Sequence, residues 1–184
     1  MLEFVENREI YDKLICSFIP KARQYLWLAT ADLKDLYVDR HHKMVPFLEL
    51  LSDLAARKVE LRLLHAKKPG PIFWKDYTHY PALDERLEMM HCPRVHLKTV
   101  VIDGQIGYLG SANLTGAGVG AKSAHRRNFE SGIITDDSVI VEKVMNQFDT
   151  IWTGRHCGDC QRKSYCPTYV DILEESPRVG RKRK

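Results

Sequence analysis

The chain has 184 residues, 44% of them apolar and 28% charged, with a formal net charge of +4. That length fits one globular domain with a small appendage, and the apolar fraction is ordinary for a packed core, which excludes a disordered or fibrous chain. No apolar run approaches the roughly 20 residues of a membrane helix and no signal-peptide pattern opens the chain, so a cytoplasmic protein without a membrane span is expected. In chain order, Tyr11, Leu14, Ile15 and Phe18 form a helical stripe within Glu9–Phe18 that Pro20 interrupts. Tyr25–Thr30 reads as a strand, Ala31–Lys43 as a polar connection, Val45–Ala56 as a helix and Val59–Leu64 as a buried strand. Lys67–Pro81 reads as a loop in which Trp74, Tyr77, His79 and Tyr80 pack the loop down or stack on bases. Ala82–Met90 is a short helix, and Ser138–Trp152 is a helix with Val141, Val144, Met145, Phe148 and Trp152 on one face. The strand–helix alternation predicts a layered α/β domain with a mostly parallel central sheet flanked by helices.

Between those helices runs HLKTVVIDGQIGYLGSAN, in which His96-x-Lys98 is followed after four residues by Asp103-Gly104 and after five more by Gly110-Ser111-x-Asn113. His96 and Lys98 lie two apart, so in a strand they project from one face, a parity shared by Val100 and Ile102. Asp-Gly is a hairpin signal, and Ile106–Leu109 reads as the returning strand that carries Ser111 and Asn113 back beside His96 and Lys98. Gly110 leaves room for close approach of backbone or substrate. An imidazole, an ammonium, a hydroxyl and a carboxamide together suit a phosphodiester: the ring attacks phosphorus and the others hold its oxygens. The run resembles the HKD signature of the phospholipase D superfamily, over a resemblance extending from about Glu9 to Trp152. It implies the superfamily fold and a catalytic set of His96, Lys98, Asp103, Ser111 and Asn113. It also places an acidic residue where Glu130 stands, which would orient the imidazole. Lys122, His125, Arg126 and Arg127 load the intervening glycine-rich loop with charge, and Lys122, Arg126 and Arg127 are candidate phosphate-backbone contacts.

The superfamily mechanism uses two such motifs, and only one is present. The histidines of His41-His42-Lys43 and His65-Ala66-Lys67 lack the downstream Asp-Gly and Gly-Ser-x-Asn. Two chains would then supply the two histidines, so a homodimer is expected. The expected reaction is hydrolysis of DNA or RNA through a phosphohistidine, with no cofactor needed for the hydrolysis itself and a larger DNA-processing complex as a possible setting. The alternatives are a phospholipase or phosphatidyltransferase, and an inactive nucleic-acid-binding module.

After residue 152 the composition changes. Residues 153–176 form a cysteine-rich segment and 177–184 a basic tail, with residues 1–152 as the catalytic domain. Cys157-x2-Cys160-x5-Cys166-Pro resembles the cysteine triplet of iron–sulfur nucleases, in which a distant fourth cysteine completes a [4Fe–4S] cluster. Zinc is the alternative. Topology favours Cys92, four residues before His96, as the fourth ligand, with Cys16 or His156 as the alternatives.

Overall fold

The computed structural model describes residues 1–166 apart from 35 and 41. Its frame is a seven-stranded sheet. The central strand is β7 (Thr99–Ile102), and the other members are β1 (Leu2–Glu6), β2 (Tyr25–Thr30), β5 (Glu60–His65), β6 (Leu87–His91), β8 (Ile106–Gly110) and β9 (Ser131–Thr135), in the order β1-β9-β8-β7-β2-β5-β6. A separate hairpin joins β3 (Tyr37–Arg40) to β4 (Lys43–Pro46).

One face of the sheet is covered by a π-helix (Ile10–Phe18) and by helices α1 (Phe47–Ala56) and α3 (Ala82–Arg86), with a further short helix α2 (Pro71–Tyr77). Leu26, Leu28, Leu61, Leu63, Val100 and Ile102 point into this main core. The other face is covered by α4 (Ser138–Trp152). There Trp27 stacks on Phe148 at 5.1 Å and Phe148 on Trp152 at 5.5 Å, while the Arg62 guanidinium lies 5.4 Å from the Trp27 ring and 5.3 Å from the Trp152 ring. The helix starts at Asp137, whose carboxylate accepts the amides of Val139 and Ile140 and so satisfies two of the open donors at the helix start.

The layered α/β architecture is therefore as expected, but the sheet is mixed. Only β2–β5 and β5–β6 are parallel; β1–β9, β9–β8, β8–β7 and β7–β2 are antiparallel. Short hairpin returns and the docking of the N-terminal strand produce this, because parallel pairing needs a long crossover and only the α1 and α2–α3 connections supply one. Several elements differ from the sequence expectation. The polar connection 31–43 contains most of the β3–β4 hairpin, the 67–81 loop contains α2, and the helix expected to reach Met90 gives way at Leu87 to the edge strand β6. The basic tail, 178–184, lies outside the described residues, as does His41.

Phe148 is 1% exposed at the centre of the α4 layer. Phe148→Ala is expected to cost about 3–5 kcal/mol of stability, as for other buried phenylalanines, and denaturant unfolding measures it.

Candidate active site

One end of the sheet gathers the chemistry. The carboxyl ends of the parallel strands β2, β5 and β6, the start of β7 and the end of β8 all meet there, the kind of edge at which α/β sheets bind ligands. His96 and Lys98 lie in the extended segment that leads into β7, just short of the strand itself. His96 is exposed, whereas Lys98 is only 9% exposed and its Nζ donates to the His96 carbonyl at 2.8 Å. Across the hairpin, the Gly110 amide donates to the Lys98 carbonyl at 3.1 Å, so β8 ends beside the His96–Lys98 segment.

Ser111 follows directly. Its amide donates to the Ser131 carbonyl at 2.9 Å, its hydroxyl accepts from the Ser131 amide at 3.1 Å, and that hydroxyl donates to the Glu130 carboxylate. The Asn128 amide also donates to Glu130, at 3.0 Å. The Glu130 backbone is held by Asn7, which donates to the Glu130 carbonyl at 2.8 Å and accepts from its amide at 3.2 Å. Asn113 uses its side-chain oxygen to accept the amides of Ala31 and Asp32, both at 3.2 Å, and the Thr30 hydroxyl at 3.4 Å. With the oxygen engaged on the protein, the Asn113 carboxamide nitrogen is the group it can offer a ligand.

The electrostatics follow from this arrangement. Burial pushes the Lys98 ammonium below the ordinary lysine value, and the nearby Glu130 carboxylate opposes that shift. The result is a partly desolvated cation next to an exposed imidazole, with a carboxylate that polarises the Ser111 hydroxyl. Burial raises the Tyr108 hydroxyl beneath the site, so it stays a neutral phenol.

Three residues expected at the site occupy other roles. Asp103 stands at the opposite end of β7, at φ +54° in the turn, where its carboxylate accepts the amides of Arg23, Gln24 and Tyr25 at 2.9, 2.7 and 3.0 Å. It therefore staples the hairpin turn to the start of β2, because a four-residue β7 separates it from His96 and Lys98. Glycine is required beside it: Gly104 has φ +64° and a Cβ there would lie 2.4 Å from the Tyr25 hydroxyl. Gly110 is close-packed, but by protein: a Cβ would come within 2.3 Å of the Tyr108 hydroxyl and 2.6 Å of the Ser131 carbonyl. Glu130 was expected to orient the His96 ring, and within this chain it bonds Ser111 and Asn128 instead.

Lys122 and Arg126 are exposed and Arg127 half-exposed on the turn-rich loop between Asn113 and Glu130. Thr30, Asn7, Asn128 and the 96%-exposed Phe129 also belong to this region. The roles of Thr30 and Asn7 depend on partners 83 and 123 residues away, in Thr30–Asn113 and Asn7–Glu130, so no local signal points to those two. The discounted His65 is 5% exposed, and its Nδ1 donates to the Lys67 carbonyl at 2.8 Å. Burial lowers its pKa, so it is a neutral structural histidine.

The cysteines fall into two places. Cys16 packs in the π-helix near Tyr11. Cys92, Cys157, Cys160 and Cys166 all border one cavity, together with His156. Burial raises the Cys157 thiol, and the facing Cys166, Cys92 and Cys160 sulfurs raise it further. The Arg162 amide donates to Cys160 Sγ at 3.4 Å and, with Arg94, lowers that thiol. Among the described residues no three His, Cys, Asp or Glu side chains stand close enough to share a single metal ion.

The model of the cardiolipin synthase, PLD-like domain matches residues 15–152, a span that includes every side chain of the proposed catalytic set. The chain belongs to that family. No curated protein sequence matches it. Among solved structures it is similar to the phospholipase D family member Nuc from Salmonella typhimurium, with a TM-score of 0.61 and 16% identity over 83% of this chain and 94% of that one. It is also similar to NucT from Helicobacter pylori, with a TM-score of 0.58 and 17% identity over 83% and 97% of the two chains. The archaeal chromatin protein TrmBL2 shares the fold with a TM-score of 0.56 and 15% identity, over 83% of this chain and 52% of that one. These likenesses confirm a phospholipase D fold, and family membership places the chain among enzymes of phosphodiester chemistry.

Two predictions arise from the geometry. Asp103→Ala should lower stability by about 1–3 kcal/mol through its unsatisfied amides while leaving the turnover of the folded enzyme unchanged, as thermal unfolding and kinetics on the same sample can check. A lysine that holds phosphate oxygens does so only when charged, and burial sets the Lys98 pKa below the ordinary value. The alkaline limb of kcat/KM should therefore fall at a lower pH than an ordinary lysine would give, and any activity left in Lys98→Arg should lack that limb, because arginine does not titrate there.

Proposed function

We propose that this family member is a nuclease that hydrolyses DNA or RNA phosphodiesters through a phosphohistidine at His96, in an active site completed by a second copy of the chain. The observation that carries the reading is the half-site itself: an exposed His96 beside a buried Lys98, with Ser111 and Asn113 brought to the same end of the sheet.

In the first step the unprotonated His96 nitrogen attacks phosphorus and the P–O bond to the leaving nucleotide breaks. The proton for the departing oxygen comes from the partner subunit's His96. In the second step that imidazole, now neutral, takes a proton from water, whose oxygen attacks phosphorus and releases His96. Lys98, Ser111 and the Asn113 nitrogen hold the non-bridging oxygens as charge builds on them. Glu130 supports this by fixing the Ser111 hydroxyl. A protein nucleophile makes the hydrolysis itself independent of a cofactor.

Three features favour nucleic acid over lipid. The rim loop carries exposed Lys122 and Arg126 and half-exposed Arg127, which suit a polyanion's backbone. No helix among the described residues is long and apolar enough to cross a membrane. The similar structures include the bacterial proteins Nuc and NucT and an archaeal chromatin protein with a novel mode of DNA binding.

Cleavage of labelled DNA and RNA in chelator, compared with turnover of phospholipid vesicles, tests the substrate. Nucleic-acid cleavage that survives chelation and disappears in His96→Asn is expected. Lipid turnover alone, or salt-dependent binding that His96→Asn leaves intact with no cleavage by either protein, would replace the nuclease reading. Exchanging equal amounts of wild-type and His96→Asn subunits should leave about one quarter of the wild-type activity if each site needs both histidines, whereas independent sites would leave about half.

A further inference from the structure

Residues 153–166 are held to the domain by very little packing. None of them is buried, and they form turns with a single 3-10 turn at Lys163–Tyr165. A segment with no core of its own pays its ordering entropy by some other means, and in small domains that means is commonly a metal or a disulfide. Beyond its start at the end of α4, two hydrogen bonds reach the same place: Arg162 donates to the Pro93 carbonyl at 3.0 Å, and the Cys166 thiol to the His91 carbonyl at 3.6 Å. Both acceptors flank Cys92.

Around that contact, Cys92, Cys157, Cys160 and Cys166 border a cavity of about 450 Å³, with Met90, Val95 and Ile151 contributing apolar wall. Among the described residues none of the four is joined in a disulfide. Arg94, Arg162 and Lys163 also border it and supply positive charge to offset thiolates. The Arg162 amide donates to Cys160 Sγ at 3.4 Å, which holds that sulfur at the cavity edge.

An all-sulfur donor set selects zinc or an iron–sulfur cluster. Zinc–sulfur bonds of about 2.3 Å would bring four thiolates to within roughly 3.8 Å of one another. The observed thiols ring a cavity, and among the described residues no three donors meet at a single-ion distance. Ligands spread around a space suit a polynuclear centre better than one ion. We propose that Cys92, Cys157, Cys160 and Cys166 ligate one [4Fe–4S] cluster, which pins residues 153–166 to the segment that leads into His96. The cluster would be structural: Cys92 begins a turn in which the Val95 amide donates to the Cys92 carbonyl at 3.0 Å, and His96 is the next residue. This site does not depend on the nuclease reading, and its readout is metal content.

The full chain, purified without oxygen, should carry about four iron and four acid-labile sulfide per chain and show the broad visible absorption of iron–thiolate bonding. Cys92→Ala, Cys157→Ala and Cys160→Ala should each lose most of the iron and sulfide on desalting and unfold at lower temperature. Cys16→Ala and Lys98→Ala should retain the full complement, the second because the active site is not the ligand set. Stoichiometric zinc without sulfide would overturn the cluster. No metal after anaerobic reconstitution with ferrous iron and sulfide would overturn the site. Undiminished iron in Cys92→Ala would overturn the tether. If the alanine variants are insoluble, the wild-type iron and sulfide content alone decides whether the cluster exists, and Cys92→Ser in the soluble fraction decides the tether.

Discussion

The antiparallel register between β7 and β8 is the constraint on which the rest depends. Thr99 faces Leu109 and the Gly110 amide reaches the Lys98 carbonyl, so Ser111 emerges beside the His96–Lys98 segment. Side chains alternate along a strand, so a slip of one residue would turn Lys98 and Ser111 to opposite faces and dismantle the site. Two devices at the far end hold the register. Asp103 and Gly104 take positive φ in the tight turn, and the Asp103 carboxylate binds three amides at the start of β2. Asp103 thus stabilises the hairpin from its far end, and its position in the motif reflects folding of that hairpin.

The active-site side chains are in turn positioned by separate parts of the chain. Asn7 after β1 holds Glu130, Glu130 holds Ser111, and Thr30 with the Ala31 and Asp32 amides holds Asn113. Lys98 is left with its charge partly desolvated and directed at the same small region. Each polar group that is bound to protein at one atom is thereby free to meet substrate only with another, which is how a few hydrogen bonds convert flexible side chains into a rigid anion site.

The helix α4 connects this site to the C-terminal segment. Its Phe148 stacks on Trp27, the neighbour in sequence of core strand residues Leu26 and Leu28, and its Trp152 stacks on Phe148, so the helix is tied to an interior strand of the sheet. From its end the cysteine-bearing turns reach back to His91 and Pro93, immediately before the catalytic segment. The segment that carries His96 and Lys98 is therefore approached on both sides, by the Ser111–Glu130 network and by the thiol-lined cavity.

Much of this was legible in the residues alone. The strand Tyr25–Thr30 and the helix Ser138–Trp152 were readable end to end, because their periodicity is unbroken and Asp137 caps the helix. The spacing from His96 to Asn113 pointed to the end of the sheet where those side chains gather, and the expected return of the helix Ser138–Trp152 placed the triplet near Cys92, with which it borders one cavity. Elements that depend on distant partners were not legible. Strand β1 exists because β9 offers it an edge, and β6 because β5 does, and neither has a strong period of its own. The sheet is mixed for the same reason, since local pattern states that a strand forms but not which neighbour it finds. By itself the sequence determined the superfamily, because the spacing from His96 to Asn113 is specific enough to carry that resemblance and the family match bears it out. The tertiary structure decided what each does: Asp103 secures a turn, Gly110 admits Tyr108 and Ser131, and Glu130 grips Ser111, because hydrogen bonds across 20 to 120 residues are made only when the sheet has closed.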